Sequence, residues 1–88
     1  MTQISAQVTV YPLRRESLGP VISEARRSFR RHPLNVRVGE MSTMIWGEEK
    51  AVFDALQDAF DSASRGGDVV MQITLSNACP LPEGKTER

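Results

Sequence analysis

The chain has 88 residues, eleven basic and eleven acidic side chains, and a single cysteine, Cys79. This length fits one domain, the balanced charge excludes a general attraction to nucleic acid, and a lone cysteine excludes an intrachain disulfide. No apolar run is long enough to span a membrane, and the first residues lack the pattern of a signal peptide. The composition therefore predicts a cytoplasmic protein without nucleic-acid or membrane partners.

The first predicted element is a strand over residues 4–11, in which apolar and polar side chains alternate. A period of two is typical of a strand with one covered face. One face carries Ile4, Ala6, Val8 and Val10, and the other carries Ser5, Gln7, Thr9 and Tyr11. Pro12 is expected to end the strand, because proline has no N–H to donate to the ladder.

A helix is predicted next, with Ser17 as its N-cap and Pro20 in its first turn. Apolar residues recur at helical spacing and form one stripe: Leu18, Val21, Ile22, Ala25 and Phe29. The helix is expected to stop at His32, because the residue before Pro33 avoids the α region.

Two short strands over residues 35–38 and 41–46 are predicted to form a hairpin. Alternation in the second strand separates Met41, Thr43 and Ile45 from Ser42, Met44 and Trp46. The pattern does not decide which set faces the helices. We favour Ile45 toward the helices, which leaves Ser42 and Trp46 on the opposite, open face of the sheet.

Gly47 is expected to break the third strand, and Glu48 and Glu49 suit the positive N-terminal end of a second helix. The apolar stripe of that helix is Val52, Phe53, Leu56, Ala59, Phe60 and Ala63. Gly66 and Gly67 are expected to end it. A last strand over residues 69–76 alternates again, with Val69, Met71, Ile73 and Leu75 on one face and Val70, Gln72, Thr74 and Ser76 on the other.

The order strand, helix, strand, strand, helix, strand predicts an α+β fold, the ferredoxin-like βαββαβ sandwich. In this fold a four-stranded antiparallel sheet carries two helices on one face, and its other face is open. The domain is expected to cover residues 1–80. The polar tail of residues 81–88 is expected to be disordered.

Few residues suggest catalysis, and we expect the protein not to be an enzyme. His32 stands beside a helix-ending proline, where a surface position is favoured. Cys79 has no evident activating base, and one cysteine with one histidine cannot build a structural zinc site. Arg14 and Arg15 lie in the loop that holds phosphate in an acylphosphatase, but the glycine-rich cradle is missing, so a solvated pair is favoured and a small hydrolase is the weaker alternative.

The open face lacks Lys, Arg, Asp and Glu along the first and last strands, which is unusual for a solvated sheet face. Its uncharged donors and acceptors, expected on neighbouring central strands, are Gln7, Thr9, Gln72 and Thr74. Tyr11 and Trp46 are expected to flank them. This combination suits a flat, polar heteroaromatic ligand, and it equally fits a homo-oligomer contact. The pattern alone leaves both interpretations open.

Five phrases of the sequence carry a family resemblance: ISAQVTVYP at 4–12, GEMST at 39–43, GE at 47–48, VVM at 69–71 and SNACP at 76–80. Together and in this order they resemble the YkoF-type thiamine-binding protein family, over residues 4–80. The resemblance implies a ferredoxin-like protein that binds thiamine or its hydroxymethylpyrimidine moiety, without transforming it and without a further cofactor, in thiamine uptake or salvage. It also implies a homodimer or homotetramer assembled through the sheets.

The positions that match the family motifs are Gln7, Tyr11, Ser42, Thr43, Asn77 and Cys79. With the residues assigned to the open face, the predicted ligand-binding set is Gln7, Thr9, Tyr11, Ser42, Thr43, Trp46, Thr74, Asn77 and Cys79. Hydroxyl and carboxamide groups would orient the pyrimidine, and aromatic rings would stack on the ligand. The cationic thiazolium is expected near Glu40 or Glu48. The alternative is a structural or regulatory homo-oligomeric module without a small-molecule ligand.

Overall fold

The computed structural model describes residues 2–14, 18–40 and 42–78. Its elements are β1 Gln3–Pro12, α1 Gly19–Arg30, β2 Asn35–Val38, β3 Thr43–Glu48, α2 Glu49–Ser64 and β4 Val69–Ser76. This order, with one four-stranded antiparallel sheet, confirms the predicted ferredoxin-like α+β fold. The expected disordered tail and the expected helix cap Ser17 lie outside the described residues. No helix among the described residues is long and apolar enough to cross a membrane.

The strands are ordered β2-β3-β1-β4, so β1 and β3 are central and β2 and β4 form the two edges. Ala6 of β1 lies opposite Ile45 on one side and Leu75 on the other. The expectation that Gln72 and Thr74 lie on a central strand is therefore wrong. They lie on an edge strand, because the second βαβ unit of this topology places its last strand outside β1.

The core lies between the two helices and the central strands. Its buried apolar members are Ile4, Ala6, Val8, Ala25, Phe29, Ile45, Val52, Ala55, Leu56 and Ala59. Ile45 is fully buried, which confirms that this residue faces the helices. Residues directly opposite each other on paired strands share a face, so Trp46, opposite Ser5, lies on the open face as predicted.

The predicted bounds of the third strand are wrong. Gly47 does not break β3 but lies inside it, buried and opposite Ile4, because a residue without a side chain lets the backbone approach Leu34. The strand accordingly begins and ends two residues later than expected. Pro12 is the last residue of β1, opposite Val69 at the end of the ladder, which confirms that the strand ends at this proline.

The first helix ends slightly earlier than the sequence suggests. The first helix ends at Arg30, and Arg31 is its C-cap, so the chain leaves the helix before His32. The second ends at Ser64, with Arg65 as its C-cap directly before Gly66, as predicted. Gly67, three residues after Ser64, has a φ of 153°, a conformation that favours glycine.

Part of the predicted apolar stripe of α2 is not in the core. Phe53 and Phe60 are 47% and 44% exposed, and Ile73 and Leu75 of β4 are 39% and 44% exposed. The helix packs mainly over β1 and β3, so its outer flank and the Ile73 and Leu75 end of the apolar face of β4 are left exposed.

Candidate functional site

A shallow depression lies on the open face, where the C-terminal half of β1 runs between β4 and the start of β3. It has a volume of about 260 Å³. Its lining consists of Gln7, Thr9, Tyr11, Ser42, Gln72 and Thr74. The structure thus brings together five of the predicted ligand-binding residues. Gln72, which the sequence places on the same face, was missing from the predicted set.

The strand register arranges these side chains in rows. Thr9 lies opposite Gln72, and Gln7 lies opposite Thr74. The Gln7 side-chain amide also donates a hydrogen bond of 3.1 Å to the Ser42 hydroxyl. Rows of this kind place amide and hydroxyl groups about 5 Å apart across the strands, the spacing of the ladder itself. A flat molecule on this surface would meet donors and acceptors along its whole edge.

The depression carries no formal charge among its lining residues. The nearest carboxylate along the chain belongs to Glu40, in the turn between β2 and β3. That turn is held by a 2.8 Å hydrogen bond from the Gly39 N–H to the Ser42 carbonyl. Glu48 lies at the other end of β3, opposite Gln3, roughly 20 Å from Ser42 at ~3.4 Å per residue. Of the two expected acidic neighbours, Glu40 is the nearer along the chain, although it borders a cavity on the helix side of the sheet and does not line the depression.

Trp46 shares the open face but does not line the depression. It lies opposite Ser5, about 20 Å along β1 from Tyr11. Its side chain is 5% exposed, and the guanidinium carbon of Arg37 lies 6.0 Å from its ring centre. A cation already occupies the indole face, which stabilises the pair modestly. Tyr11 and Trp46 therefore cannot flank one small ligand together.

Thr43 lies on the helix side of the sheet, opposite Val8, and is 6% exposed. It borders a separate cavity of about 130 Å³ beneath α1, whose wall also includes Arg26 and Phe29. The Arg26 Nε is buried and has no hydrogen-bond partner among the described residues. Because Ser42 and Thr43 are adjacent in an extended segment, their side chains point to opposite faces, and one site cannot use both side chains equally.

A family model described as the YKOF-related family matches residues 3–82, nearly the whole chain. The chain belongs to the YkoF-related family. This confirms the resemblance that the five phrases of the sequence carry. Among curated proteins, no match to the chain is found.

Solved structures share the fold of this YkoF-related chain. A hypothetical protein from Methanocaldococcus jannascii has a TM-score of 0.79 and 23% identity, over 86% of this chain and 80% of its own. A protein from Streptococcus pneumoniae has a TM-score of 0.79 and 18% identity, over 85% and 86%. A Thermotoga maritima protein, named provisionally for thiamine biosynthesis or salvage, has a TM-score of 0.74 and 19% identity, over 83% and 81%. At these identities the likeness establishes the fold.

The remaining predicted ligand residues lie away from the depression. Asn77 is exposed and follows Ser76, which lies opposite Ser5 at the Trp46 end of the sheet. The Ala78 N–H donates to the Ser76 hydroxyl at 3.0 Å, which forms a local turn here. Cys79 lies outside the described residues.

His32 contributes to the side-chain contacts that connect the end of α1 to α2 in the YkoF-related chain. Its Nε2 lies 3.0 Å from an oxygen of Asp58, and Arg31 donates to the other oxygen at 3.2 Å. The hydrogen bonds from His32 and then Arg31 hold the pKa of Asp58 below its ordinary value of 3.8. Beneath them, the hydroxyls of Ser28 and Ser62 form a buried 3.0 Å hydrogen bond.

Arg14 lies in the first strand-to-helix loop with a φ of 55°, which is uncommon for a residue with a side chain. Its guanidinium forms an exposed ion pair with Asp68, and the Leu13 N–H donates to the Asp68 carbonyl at 3.1 Å. These contacts tie the loop to the start of β4. No group of three or more His, Cys, Asp or Glu side chains in the described part of the chain could hold a metal ion.

Proposed function

We propose that this YkoF-related protein binds thiamine, or its hydroxymethylpyrimidine half, in the open-face depression and releases it unchanged. One observation carries the proposal: Gln7, Thr9, Tyr11, Ser42, Gln72 and Thr74 form a single uncharged, polar surface with one aromatic ring. Family membership supports the choice of ligand, as does the fold shared with the Thermotoga maritima protein named for thiamine biosynthesis or salvage.

The aminopyrimidine ring has acceptor nitrogens next to a donor amine. A carboxamide offers the complementary pair, since its oxygen accepts and its nitrogen donates. Gln7 and Gln72 lie on adjacent strands and both are exposed. The Gln7 amide nitrogen already donates to Ser42, and its oxygen can accept from a ligand. The hydroxyls of Thr9 and Thr74 adapt to either role. Such a surface would orient the ring in its own plane.

The thiazolium of thiamine is a permanent cation. The Tyr11 ring is 47% exposed at the edge of the depression and would attract a cation through its face. A carboxylate offsets part of the cost of removing water from the charge, and the nearest one along the chain is that of Glu40, two residues before Ser42. We therefore place the thiazolium between the Tyr11 and Glu40 ends, with the pyrimidine over Gln7.

The lining also supports binding without chemistry. It includes no Asp, Glu, His, Lys or Cys side chain, so a general acid or base for work near neutral pH is missing among the described lining residues. His32 and Asp58 pair with each other between the helices, on the far side of the sheet.

Calorimetric titration of the full chain with thiamine, and separately with hydroxymethylpyrimidine, tests the proposal. Gln7→Ala removes one ligand hydrogen bond and should weaken binding by about 2- to 10-fold, since one such bond contributes roughly 0.5–1.5 kcal/mol. Gln3→Ala is the matched control, because Gln3 is exposed on the same strand, opposite Glu48 and outside the depression. Its affinity should equal that of the wild type.

The absence of both heat and a thermal shift at millimolar concentrations of the two compounds would remove this function. A homo-oligomeric interaction module without a ligand would then be the better candidate. The exposed apolar side chains Ile73 and Leu75 favour that second candidate. Sedimentation run beside the titration separates the two: the module requires an oligomer that gives no binding heat.

A further inference from the structure

The cavity beneath α1 contains a buried donor on a charged side chain. It has a volume of about 130 Å³, and Arg26 lines it from the helix. The Arg26 Nε is buried and has no hydrogen-bond partner among the described residues. A buried donor on a charged group is costly unless an acceptor meets it, because burial removes the hydrogen bonds that water would offer. The cavity therefore has a place for an acceptor that the described residues do not supply.

The carboxylate of Glu40 adds the opposite charge to the lining of this cavity. Glu40 is exposed, in the turn between β2 and β3, so the cavity meets solvent on its side. Within the described part of the chain, no ion pair joins Arg26 or Glu40 to each other or to another side chain. An anion alone would satisfy Arg26 but would be repelled by Glu40, and a cation alone would leave Arg26 unsatisfied.

The inner part of the lining is apolar and closed to water. Val8, Ala25 and Phe29 are no more than 2% exposed. Thr43 is 6% exposed and adds a hydroxyl, which can donate or accept. The cavity thus combines one cation, one carboxylate and a hydroxyl with a small apolar surface. A molecule complementary to it would carry both charges and a short alkyl group.

The volume restricts the occupant of the cavity to a very small molecule. An apolar cavity of about 150 Å³ holds one benzene molecule. The cavity beneath α1, at about 130 Å³, is of similar size. L-Alanine has as many non-hydrogen atoms as benzene, whereas thiamine is far too large. The occupant is therefore a different compound from the ligand proposed for the depression.

We propose that the cavity beneath α1 binds a small zwitterion, an α-amino acid of about the size of alanine. Its carboxylate would accept hydrogen bonds from the Arg26 guanidinium, whose planar fork suits a carboxylate. Its ammonium group would lie toward Glu40, at the solvent side. The Thr43 hydroxyl would donate to the carboxylate, and a short side chain would pack against Val8 and Phe29.

An NMR titration of the isotope-labelled full chain with L-alanine tests the site. The amides of Arg26 and Thr43 should shift, and that of Gln72, on the open face, should not. Acetate and ethylamine each carry one of the two charges. Each should bind at least about 10-fold more weakly than L-alanine, because it forgoes one charge-assisted contact.

Two results of this titration would overturn the site. The absence of any shift at about 50 mM L-alanine would reject binding, since even a few good contacts give millimolar affinity. Acetate that binds as tightly as L-alanine would mean that Arg26 holds an adventitious anion only.

Variants of the two charged residues test their separate roles. Arg26→Gln should weaken L-alanine binding by about 10- to 100-fold. Arg30→Gln is the matched control, because Arg30 is exposed on the same helix and does not line the cavity. Its affinity should equal that of the wild type. Glu40→Gln should weaken L-alanine binding but strengthen acetate binding, because it removes the repulsion of an anion. An equal loss in Arg30→Gln, or weaker acetate binding in Glu40→Gln, would contradict the proposal.

If Arg26→Gln fails to fold, the exposed variant Glu40→Gln decides. L-Alanine and acetate should then bind nearly equally, and a retained preference for L-alanine would reject the role of Glu40. Thiamine titration of folded Arg26→Gln separates the cavity from the depression, which Arg26 does not line. Thiamine affinity should be unchanged there while L-alanine binding is lost. Loss of both would mean that thiamine uses the cavity, which also rejects the zwitterion site.

Discussion

The Gln7 side-chain amide donates a 3.1 Å hydrogen bond to the Ser42 hydroxyl, although 35 residues separate them along the chain. Gln7 lies opposite Met44 on β3, so the bond runs diagonally toward the start of that strand. It fixes the direction of one carboxamide before any ligand arrives. Such preorganisation lowers the entropy lost when the ligand binds.

Ser42→Ala removes that hydrogen bond and leaves the Gln7 amide free to rotate. We expect thiamine affinity to fall by about 2- to 10-fold, while stability changes by no more than about 0.5 kcal/mol because both groups reach solvent. Calorimetry and urea unfolding measure the two effects. Ser23→Ala, an exposed serine on α1, should alter neither. A large loss of stability in Ser42→Ala would show that the pair serves the fold instead.

Two threonines on opposite sides of the sheet locate the ligand. Thr9 lines the depression and also borders the cavity beneath α1, whereas Thr43 borders the cavity alone. Thr9→Val should weaken thiamine binding by about 2- to 10-fold through the lost hydroxyl, and Thr43→Val should leave it unchanged. The two variants have the same change of shape, so each controls for the other. The reverse result would place the ligand in the cavity with Arg26.

Local patterns predicted much of this fold. The alternation of residues 69–76 predicted the bounds of β4 as observed. It left the facing of the third strand open, and the favoured choice of Ile45 toward the helices is the observed one. Gly47 was predicted wrongly because a glycine that breaks a strand and a glycine that admits a neighbour's backbone look alike in a sequence. Only the approach of Leu34, a contact between elements, distinguishes them.

The extent of the core could not be predicted from helical spacing. Phe53 and Phe60 have the same periodicity as Leu56, which is 6% exposed. Which of them is covered depends on the strands that α2 overlies, and this is a property of the packed sheet. The same limit applies to Ile73 and Leu75, whose alternation is correct although no described element covers them fully.

The uncharged face was predictable from period two, but its layout was not. Tyr11 and Trp46 do share the open face, yet the register separates them by about 20 Å, and register is a relation between strands. Thr43 could have been placed from the sequence. Thr43 follows Ser42 in an extended segment, so the alternation that puts Ser42 on the open face puts Thr43 on the helix side. The family motif nevertheless suggested Thr43 as a ligand residue.

Low pH should weaken the contacts that Asp58 of α2 makes with His32 and Arg31 at the end of α1. The hydrogen bonds from His32 and Arg31 lower the pKa of Asp58 from 3.8, so the folded state binds a proton there less readily than the unfolded chain. This contribution is fully present above about pH 4 and is lost as the pH falls through the lowered value. The partly exposed Glu24, whose pKa is lowered by the hydrogen bond from Arg27, acts in the same direction.

Asp58→Asn should therefore flatten the dependence of stability on pH below 4, relative to the wild type. Urea midpoints at pH 6, 4 and 3 measure the slope. Asp54→Asn is the control, since it removes the same charge from the same helix at an exposed pair with Lys50. Parallel curves for Asp58→Asn and the wild type would mean that the contacts of His32 and Arg31 do not persist in solution.

Two glycines should respond in opposite directions to alanine. A Cβ at Gly47 would lie 3.1 Å from the Leu34 Cβ and 3.4 Å from its Cα, inside a buried strand, so Gly47→Ala should cost about 1–3 kcal/mol of unfolding free energy. A Cβ at Gly19 meets nothing within 4 Å, and alanine there restricts the unfolded chain, so Gly19→Ala should stabilise by about 0.4–1 kcal/mol. Urea unfolding of both variants checks the pair. Equal shifts would show that Leu34 yields without cost, and that the tight contact between β3 and the segment before β2 does not require glycine.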